Sequence, residues 1–300
     1  MKAKKTSLPL KFRTGLKHWK SKFSILILLL LLLYLLAGQF RPLTPQVAKN
    51  QQLPEYLACP FSQTVYEKIK ENSLAKIQAK AIIVPHHLLA RDLIIQTLEQ
   101  VKNDYETVIL VGPNHQNSGQ ADIQTSRAIW KTQFGDLEPD EKLINNLTKN
   151  GVVQLEESHF AQEHSICGLV SFIKIYFSRA KIVPLILKNN TTQTQAKNLG
   201  RKLAENCSNC LLIASVDFSH DVSATQATKN DSQSAKIITD LNEKRLGQVV
   251  CDSQPTLQTL FSFLESKGAK RLNLVNQSNS AEISSQDFST VTSYLTFTFE

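Results

Sequence analysis

Short runs of consecutive apolar residues alternate with amphipathic stretches from about residue 76 to the end of the chain. The strongest runs cover 81–84, 108–111, 181–187 and 211–216, and such runs are typical of buried parallel strands. Between them, apolar residues recur at helical spacing, which predicts helices over 88–102, 139–150, 164–177, 192–205, 231–248 and 255–267. The alternation predicts a three-layer α/β/α domain in which helices cover both faces of a mostly parallel central sheet.

Weaker patterns predict the remaining strands. Residues 122–125, 152–155 and 271–275 are short apolar segments that fit strands. In 291–299 the apolar residues fall at alternate positions among threonines. Because this alternation is typical of a strand with one face in water, the final strand is expected to be half-exposed.

Three of the four strong runs end in a polar turn that carries a histidine. His86, His115 and His220 follow the first, second and fourth runs, and Asp217 precedes His220. The carboxyl ends of parallel strands meet at one edge of a sheet, where ligands bind in open α/β folds, so these imidazoles are expected to share one pocket. Imidazole is a ligand for iron, copper, nickel or zinc. The pattern therefore predicts a metal site, in which Asp217 is either a ligand or the acceptor that fixes a histidine's tautomer.

The other histidines have less distinctive positions. His164 opens the predicted helix 164–177, where it either contacts a bound substrate or has a structural role. His87 is expected to point away from the pocket, because neighbouring side chains of an extended chain face opposite ways. His159 is expected to lie on a loop surface. The sequence contains no P-loop, no G-x-S-x-G elbow, no H-E-x-x-H and no dinucleotide fingerprint.

The N-terminal part of the chain has the pattern of a membrane anchor. Residues 23–40 are uncharged and rich in leucine, and a spanning helix needs roughly 17–20 such residues. Residues 1–22 carry eight lysines and arginines and no acid, which predicts a basic tail on the cytoplasmic side. We therefore expect a single-pass signal anchor with the domain on the extracytoplasmic side. The alternative is a cleaved signal peptide, which would export the rest of the chain as well.

Composition adds limits on the partners and the domain boundary. The net charge of +8 comes from the basic tail. The rest of the chain carries equal numbers of basic and acidic residues, so we do not expect it to bind nucleic acid. Residues 41–60 contain four prolines, and 63–80 has a helical apolar pattern. We expect a linker and a leading helix over 41–75, and the α/β domain over 76–300.

The five cysteines are an odd number, so at least one has no partner within the chain. Cys207 and Cys210 form a lone C-x-x-C. A zinc knuckle would need a second such pair, so these two residues are either a disulfide of an exported domain or two plain thiols.

Four motifs resemble those of a known family when they are taken together and in order. They are Pro85-His86, Gly112-Pro113-Asn114-His115, Glu163-His164-Ser165 and Asp217-Phe218-Ser219-His220. They resemble the Memo family, whose bacterial and archaeal members are called AmmeMemoRadiSam system protein B. The resemblance covers roughly residues 79–300, includes the last strand, and implies a fold similar to LigB-like class III extradiol dioxygenases, which are non-haem iron enzymes.

The resemblance also implies the members of the metal pocket. The residues at the family's ligand positions are His86, His115, Cys251 and His220. The resemblance also places Asp217 in this pocket, and we expect Asp217, His220 and His164 to be the catalytic residues. This chain departs from the usual family pattern at three places. Asp252 replaces the glycine of Cys-Gly, and His87-Leu88 replaces Ala-Gly. Cys167 and Leu169 replace an acidic residue and an amide.

These features lead to one expected function and two alternatives. We expect a membrane-anchored, Memo-like protein that binds iron or copper and carries out metal-dependent oxygen or electron chemistry, with His220 moving protons under the orientation of Asp217. A zinc-dependent hydrolase would use the same residues. A non-catalytic module that binds a small molecule or a peptide is the third possibility, because animal members of the family are associated with signalling partners. The family's system name implies AMMECR-like and radical SAM proteins as companions.

Overall fold

The computed structural model describes residues 53–59, 76–269 and 271–300. Its strands are β1 (Glu55–Leu57), β2 (Ala81–Val84), β3 (Thr107–Pro113), β4 (Ile123–Thr125), β5 (Ile129–Thr132), β6 (Gly135–Leu137), β7 (Gln154–Leu155), β8 (Lys181–Leu187), β9 (Cys210–Ser215), β10 (Leu272–Asn279) and β11 (Ser293–Phe299). Its α-helices are α1 (Arg91–Glu99), α2 (Glu141–Lys149), α3 (His164–Tyr176), α4 (Gln193–Asn206), α5 (Ala224–Thr239), α6 (Gln254–Lys267) and α7 (Ser280–Ser284).

Among the described residues, eight strands form the central sheet in the order β10-β11-β2-β9-β3-β8-β4-β7. The four strands in its middle, β2, β9, β3 and β8, are parallel to one another. Antiparallel pairs extend this parallel centre on both sides, β11 against β2 and β4 against β8. The predicted α/β fold with a mostly parallel sheet is thereby confirmed.

Helices cover the two faces of the sheet and create two apolar cores. Along β2, Ala81 and Ile83 face the core that contains residues of α2, α4, α5 and α6. The alternate residues Ile82 and Val84 face the core that contains residues of α1 and α3. Because both faces are buried, each central strand is apolar at consecutive positions, which is why these strands are visible in the sequence.

A second, smaller sheet has the order β1-β5-β6. The sequence pattern assigns residues 53–59 to the linker, whereas the structure places β1 parallel to β5 and joins Cys59 to Cys167 of α3 by a disulfide. This part of the predicted linker therefore packs with the domain. Of the leading helix predicted over 63–80, residues 76–80 are not helical, and the rest lies outside the described residues.

Two further expectations need correction. The final strand β11 is buried at every position rather than half-exposed, because it lies between β10 and β2 and has α1 and α5 against it. The single helix predicted over 231–248 corresponds to two separate helices in the structure. Helix α5 begins before residue 231, where the Ser223 side chain accepts a hydrogen bond from the Gln226 N–H. A separate 3₁₀ helix covers Glu243–Gln248.

Within the part of the chain that the structure describes, no helix has both the length and the apolar character needed to cross a membrane. The anchor predicted over 23–40 lies outside these residues.

Candidate metal centre

Three parallel strands deliver polar side chains to one edge of the central sheet. His86, His115 and Asp217 each follow the last residue of a strand, β2, β3 and β9 respectively, with one residue between. His164 is the first residue of α3. These residues line one cavity of about 410 Å³, whose lining is His86, His87, Leu88, His115, His164, Asp217, His220 and Thr292.

Three imidazoles in this cavity are close enough to share one ion. One ring nitrogen from each of His86, His115 and His164 lies within 4.8 Å of the others. The rings of His115 and His164 stack with their centroids 3.9 Å apart. The His86 ring meets the His115 ring edge to face, at 5.0 Å between centroids.

Hydrogen bonds to serine determine how His86 faces the cavity. Oγ of Ser215 donates to the carbonyl of Ser165 at 2.8 Å and lies 3.0 Å from Nδ1 of His86. Since the serine proton is committed to that carbonyl, Nδ1 of His86 is the donor to Oγ. When the ring is neutral, Nε2 presents its lone pair to the site, which is the tautomer a metal ligand needs.

Glu163 orients His115 in the same manner. Its Oε1 accepts a hydrogen bond from Nδ1 of His115 at 2.7 Å, and its Oε2 accepts one from the His115 backbone N–H at 3.0 Å. Glu163 also caps α3, since Oε1 accepts from the Ser165 N–H. One buried carboxylate therefore fixes the turn after β3, the start of α3 and the ring of His115.

The close approach of α3 to β3 depends on Gly112. A Cβ at this position would lie 2.7 Å from Oγ of Ser165 and 3.3 Å from Cβ of Ser215. Only a residue without a side chain allows the first turn of α3 to lie this close to the strand. This packing places Glu163 and His164 beside the end of β3.

Two aspartates complete the cluster. Oδ2 of Asp252 lies 3.2 Å from Nε2 of His86 and 3.9 Å from Nε2 of His115. Oδ2 of Asp217 lies 3.6 Å from Nε2 of His86. The two acidic segments are joined by backbone contacts, because the Asp252 N–H donates to the carbonyl of Asp217 and the Asp217 N–H donates to Oδ2 of Asp252.

The charges of the cluster shift the titration of its members. Burial lowers the pKa of His86, but the carboxylates of Asp217, Asp252 and Glu163 outweigh it and raise this pKa to about 9. Burial raises the pKa of Glu163, but its contacts with His115 and two backbone N–H groups dominate and lower this pKa to about 2. Buried carboxylates that favour a proton on a facing imidazole also favour a metal cation in its place.

The donor set fits a transition metal ion. Oδ1 of Asp252 is buried and has no hydrogen-bond partner among the described residues. Buried carboxylate oxygens normally have such a partner. Two imidazole nitrogens and a carboxylate oxygen, from His86, His115 and Asp252, form the combination found around non-haem Fe(II).

Two of the residues predicted as metal ligands lie outside both groups of convergent ligand atoms. Cys251 is half-buried and packs against the apolar core of α2, α4, α5 and α6, where burial raises the pKa of its thiol. His220 is exposed on the cavity wall, with Nδ1 3.4 Å from Oγ1 of Thr292. The structure offers Asp252 and His164 at the cluster instead.

Two histidines that were expected to lie away from any site are placed differently. His87 lines the same cavity, and its Nδ1 lies 2.5 Å from the hydroxyl of Tyr294. His159 is half-buried, with Nδ1 3.1 Å from Oγ of Ser118. The sequence marks Asp252 only as a departure from the family pattern beside Cys251 and does not predict it as a ligand.

An α/β domain with histidines and carboxylates at the carboxyl edge of its parallel strands defines a candidate metal-site protein. A family model described as "Memo-like protein" matches residues 35–298, so the chain belongs to the Memo family. It is 31% identical over 214 residues to a MEMO1 family protein of Methanococcus maripaludis, covering 64% of this chain and 72% of that protein. It is 28% identical over 278 residues to one of Methanocaldococcus jannaschii, covering 85% and 87%.

Among solved structures, an uncharacterized protein from Escherichia coli K12 matches with a TM-score of 0.48 and 12% sequence identity. The match covers 73% of this chain and 99% of that chain.

Proposed function

We propose that His86, His115 and Asp252 hold one redox-active transition metal ion, iron or copper, and that the protein carries out oxygen or electron chemistry on a small molecule in the adjoining cavity. The observation that carries the proposal is the convergence of both Nε2 atoms on Oδ2 of Asp252, at 3.2 Å and 3.9 Å. The composition of this trio favours iron, because two imidazoles and a carboxylate are typical of non-haem Fe(II) sites. Once bound, the ion would supply Lewis acidity and electron transfer.

The surrounding residues have separate tasks in this proposal. Asp217 accepts the backbone N–H of His86 at 3.2 Å and so keeps this ring at the carboxyl edge of the sheet. His164 stacks on His115 and offers a further nitrogen to the ion or to a substrate. His220, exposed on the cavity wall, moves protons between the cavity and solvent, which is a common role of histidine at neutral pH.

A zinc site is the second candidate, because three convergent imidazoles are also typical of zinc enzymes that activate water. The test is anaerobic reconstitution of the full chain with Fe(II), Cu(I) or Zn(II), followed by elemental analysis and oxygen-consumption measurements with aromatic diols. We expect one iron or copper ion per chain and oxygen uptake. Stoichiometric binding of zinc alone would favour the hydrolase, and a bound metal without oxygen uptake would favour the non-catalytic module.

The location of the domain forms a further part of the proposal. Residues 23–40 would anchor the chain with its N terminus in the cytoplasm, and the disulfide between Cys59 and Cys167 supports an extracytoplasmic domain, since disulfides persist in oxidising compartments. Retention in the membrane fraction after alkaline extraction, with protease access from the outer side only, is expected. Full release by alkali would contradict the anchor.

The family resemblance supports two more elements of this proposal, a relation to LigB-like extradiol dioxygenases and companions of the AMMECR-like and radical SAM types. Co-purification of such companions with the tagged full chain is the corresponding test.

A further inference from the structure

A second polar cleft lies beside the candidate metal centre, between the loop that follows β3 and the loop that precedes α3. Its volume is about 280 Å³, close to the lower end of small-molecule sites at roughly 300 Å³. Ser118, Ser158, His159, Gln116 and Gln162 line it, and it shares His115, Glu163 and His164 with the candidate metal centre.

A serine hydroxyl and an imidazole of this cleft lie in a row with the carboxylate of Glu156, which is outside the cleft lining. Oγ of Ser118 is 3.1 Å from Nδ1 of His159. On the opposite side of the ring, Nε2 of His159 is 4.0 Å from Oε2 of Glu156. A nucleophile within hydrogen-bond reach of a base, with a third group beyond the base, is the arrangement that activates serine in acyl transfer.

The carboxylate is fixed by the turn that also carries the serine. Glu156 accepts hydrogen bonds from the backbone N–H groups of Gln120, at 3.0 Å, and Ala121, at 2.7 Å. Gly119 has a φ of +85°, and a Cβ there would overlap the Glu156 carboxylate. Only glycine therefore permits this approach.

The backbone of the serine is held as well. The Ser118 N–H donates to Oδ1 of Asn114 at 3.2 Å, and its carbonyl accepts from Nδ2 of Asn114 and Nε2 of Gln124. The hydroxyl is thus presented to the cleft from a rigid turn. Preorganisation of this kind is what a reacting group needs, because little ordering remains for the reaction itself.

We propose that Ser118 and His159 form a second, metal-independent reactive site in which Ser118 accepts the acyl group of a small ester, with Glu156 orienting His159. Oγ of Ser118 attacks the ester carbonyl and its proton passes to Nδ1 of His159. The C–O bond to the alcohol breaks and His159 returns the proton to the leaving alkoxide. Water then attacks the acyl-serine, with its proton moving through His159 to Oγ, and releases the acid. The side-chain amides of Gln116 and Gln162 are donors of the type that stabilises a developing oxyanion.

The test is reaction of the full chain with a fluorophosphonate probe, in which serine displaces fluoride, followed by mapping of the adduct by mass spectrometry. We expect one adduct, on Ser118. The position is read in the unchanged chain, so the result does not depend on the folding of a variant. The absence of an adduct, or an adduct at another serine, would overturn the proposal.

Variants then test the role of the imidazole. Labelling and p-nitrophenyl acetate hydrolysis should disappear in Ser118→Ala and fall by roughly 10²-fold or more in His159→Gln, since general-base help typically contributes 10²–10⁴-fold. Ser158→Ala, which removes a hydroxyl from the same cleft, should react like the parent chain. An unchanged rate in His159→Gln, with unaltered thermal unfolding, would overturn the role of the base.

Treatment with a chelator distinguishes the reactivity of this site from that of the metal centre. The labelling rate of Ser118 should be the same before and after treatment with a chelator. A labelling rate that falls when the metal is removed would assign the reactivity to the metal centre and overturn the metal-independent site. This result can be read independently of whether the metal centre binds iron or copper.

Discussion

Nε2 of His86 lies 3.2 Å from Oδ2 of Asp252. This contact joins the end of β2 to the loop before α6, and it places a carboxylate where the family resemblance implies a cysteine thiol. The carboxylate and the thiol of neighbouring residues therefore face different surroundings. Asp252 faces the cavity histidines, and Cys251 faces the apolar core.

Substitutions can show whether Asp252 or Cys251 is the metal ligand. We expect Asp252→Asn to weaken Fe(II) binding by about tenfold or more, because it removes a charged ligand whose Oδ1 has no hydrogen-bond partner among the described residues. The matched control is Cys251→Ala, for which the affinity should stay close to that of the parent chain. Titration with a competing chelator measures both. Loss of metal in Cys251→Ala together with normal binding in Asp252→Asn would make the thiol the ligand.

Glu163→Gln tests whether the orientation of His115 matters. The change keeps the shape of the side chain but removes the charge that accepts from Nδ1 of His115 at 2.7 Å. Changes in the partners of a metal-bound histidine typically cost 10–100-fold in affinity, and a loss of about this size is expected. Glu141→Gln, at the exposed start of α2, is the control. Equal affinities in the two variants would show that Glu163 serves only as a helix cap.

The pKa of His86 predicts a rise in metal affinity with pH. In the metal-free protein this pKa is raised from 6.5 to about 9, so the imidazole carries a proton at neutral pH that an incoming ion must displace. Affinity for Co(II), used as a spectroscopic probe, should therefore increase as pH rises from 6.5 towards 9. Calorimetry in buffers of different ionisation enthalpy should show proton release. An affinity independent of pH in this window would contradict the charge state assigned to His86.

The same shift affects the stability of the metal-free chain. A folded-state pKa above the unfolded value contributes stability that is fully present below pH 6.5 and is lost as pH rises through about 9. Urea unfolding of the metal-free protein should accordingly show a lower free energy of unfolding at the upper end of this window. For Glu163 the sign is reversed, because its pKa is lowered to about 2, and its contribution is lost as pH falls from 4.5.

The sequence predicts the central strands and most helices well for a physical reason. The strands β2, β3, β8 and β9 are buried on both faces and therefore consist of consecutive apolar residues. The small sheet was missed because its burial depends on distant partners. Trp130 of β5, for example, is fully buried in the core that α1 and α3 share, which nothing local in its sequence indicates.

The candidate site likewise contains some residues that the sequence predicts and others that it does not. His86, His115 and Asp217 follow strand ends, and parallel strands necessarily bring such positions to one edge. Asp252 lies in a loop whose position depends on hydrogen bonds with Asp217, and hydrogen bonds between distant loops leave no periodic signal. His220 follows the same strand end as Asp217 but is directed to solvent, which the spacing of the motif does not distinguish.

The disulfide between Cys59 and Cys167 should stabilise the domain. It closes a loop with a sequence separation of 108 residues, and cross-links of this length contribute about 2–5 kcal/mol, mainly by restricting the unfolded chain. Cys59→Ser should lower the free energy of unfolding by about this amount in urea. Under reducing conditions the variant and the parent chain should have the same stability. A difference that persists after reduction would mean that the substitution disturbs packing, beyond removing the covalent link.

The most direct test of the account is the metal content of His86→Ala and His115→Ala after anaerobic reconstitution of the full chain with Fe(II). His87→Gln is the matched control, because His87 lines the same cavity but belongs to neither group of convergent ligand atoms. We expect one iron per chain in the parent and in His87→Gln, and none in the two alanine variants. Unchanged iron in either alanine variant, with its fold intact by circular dichroism, would contradict the proposed metal centre.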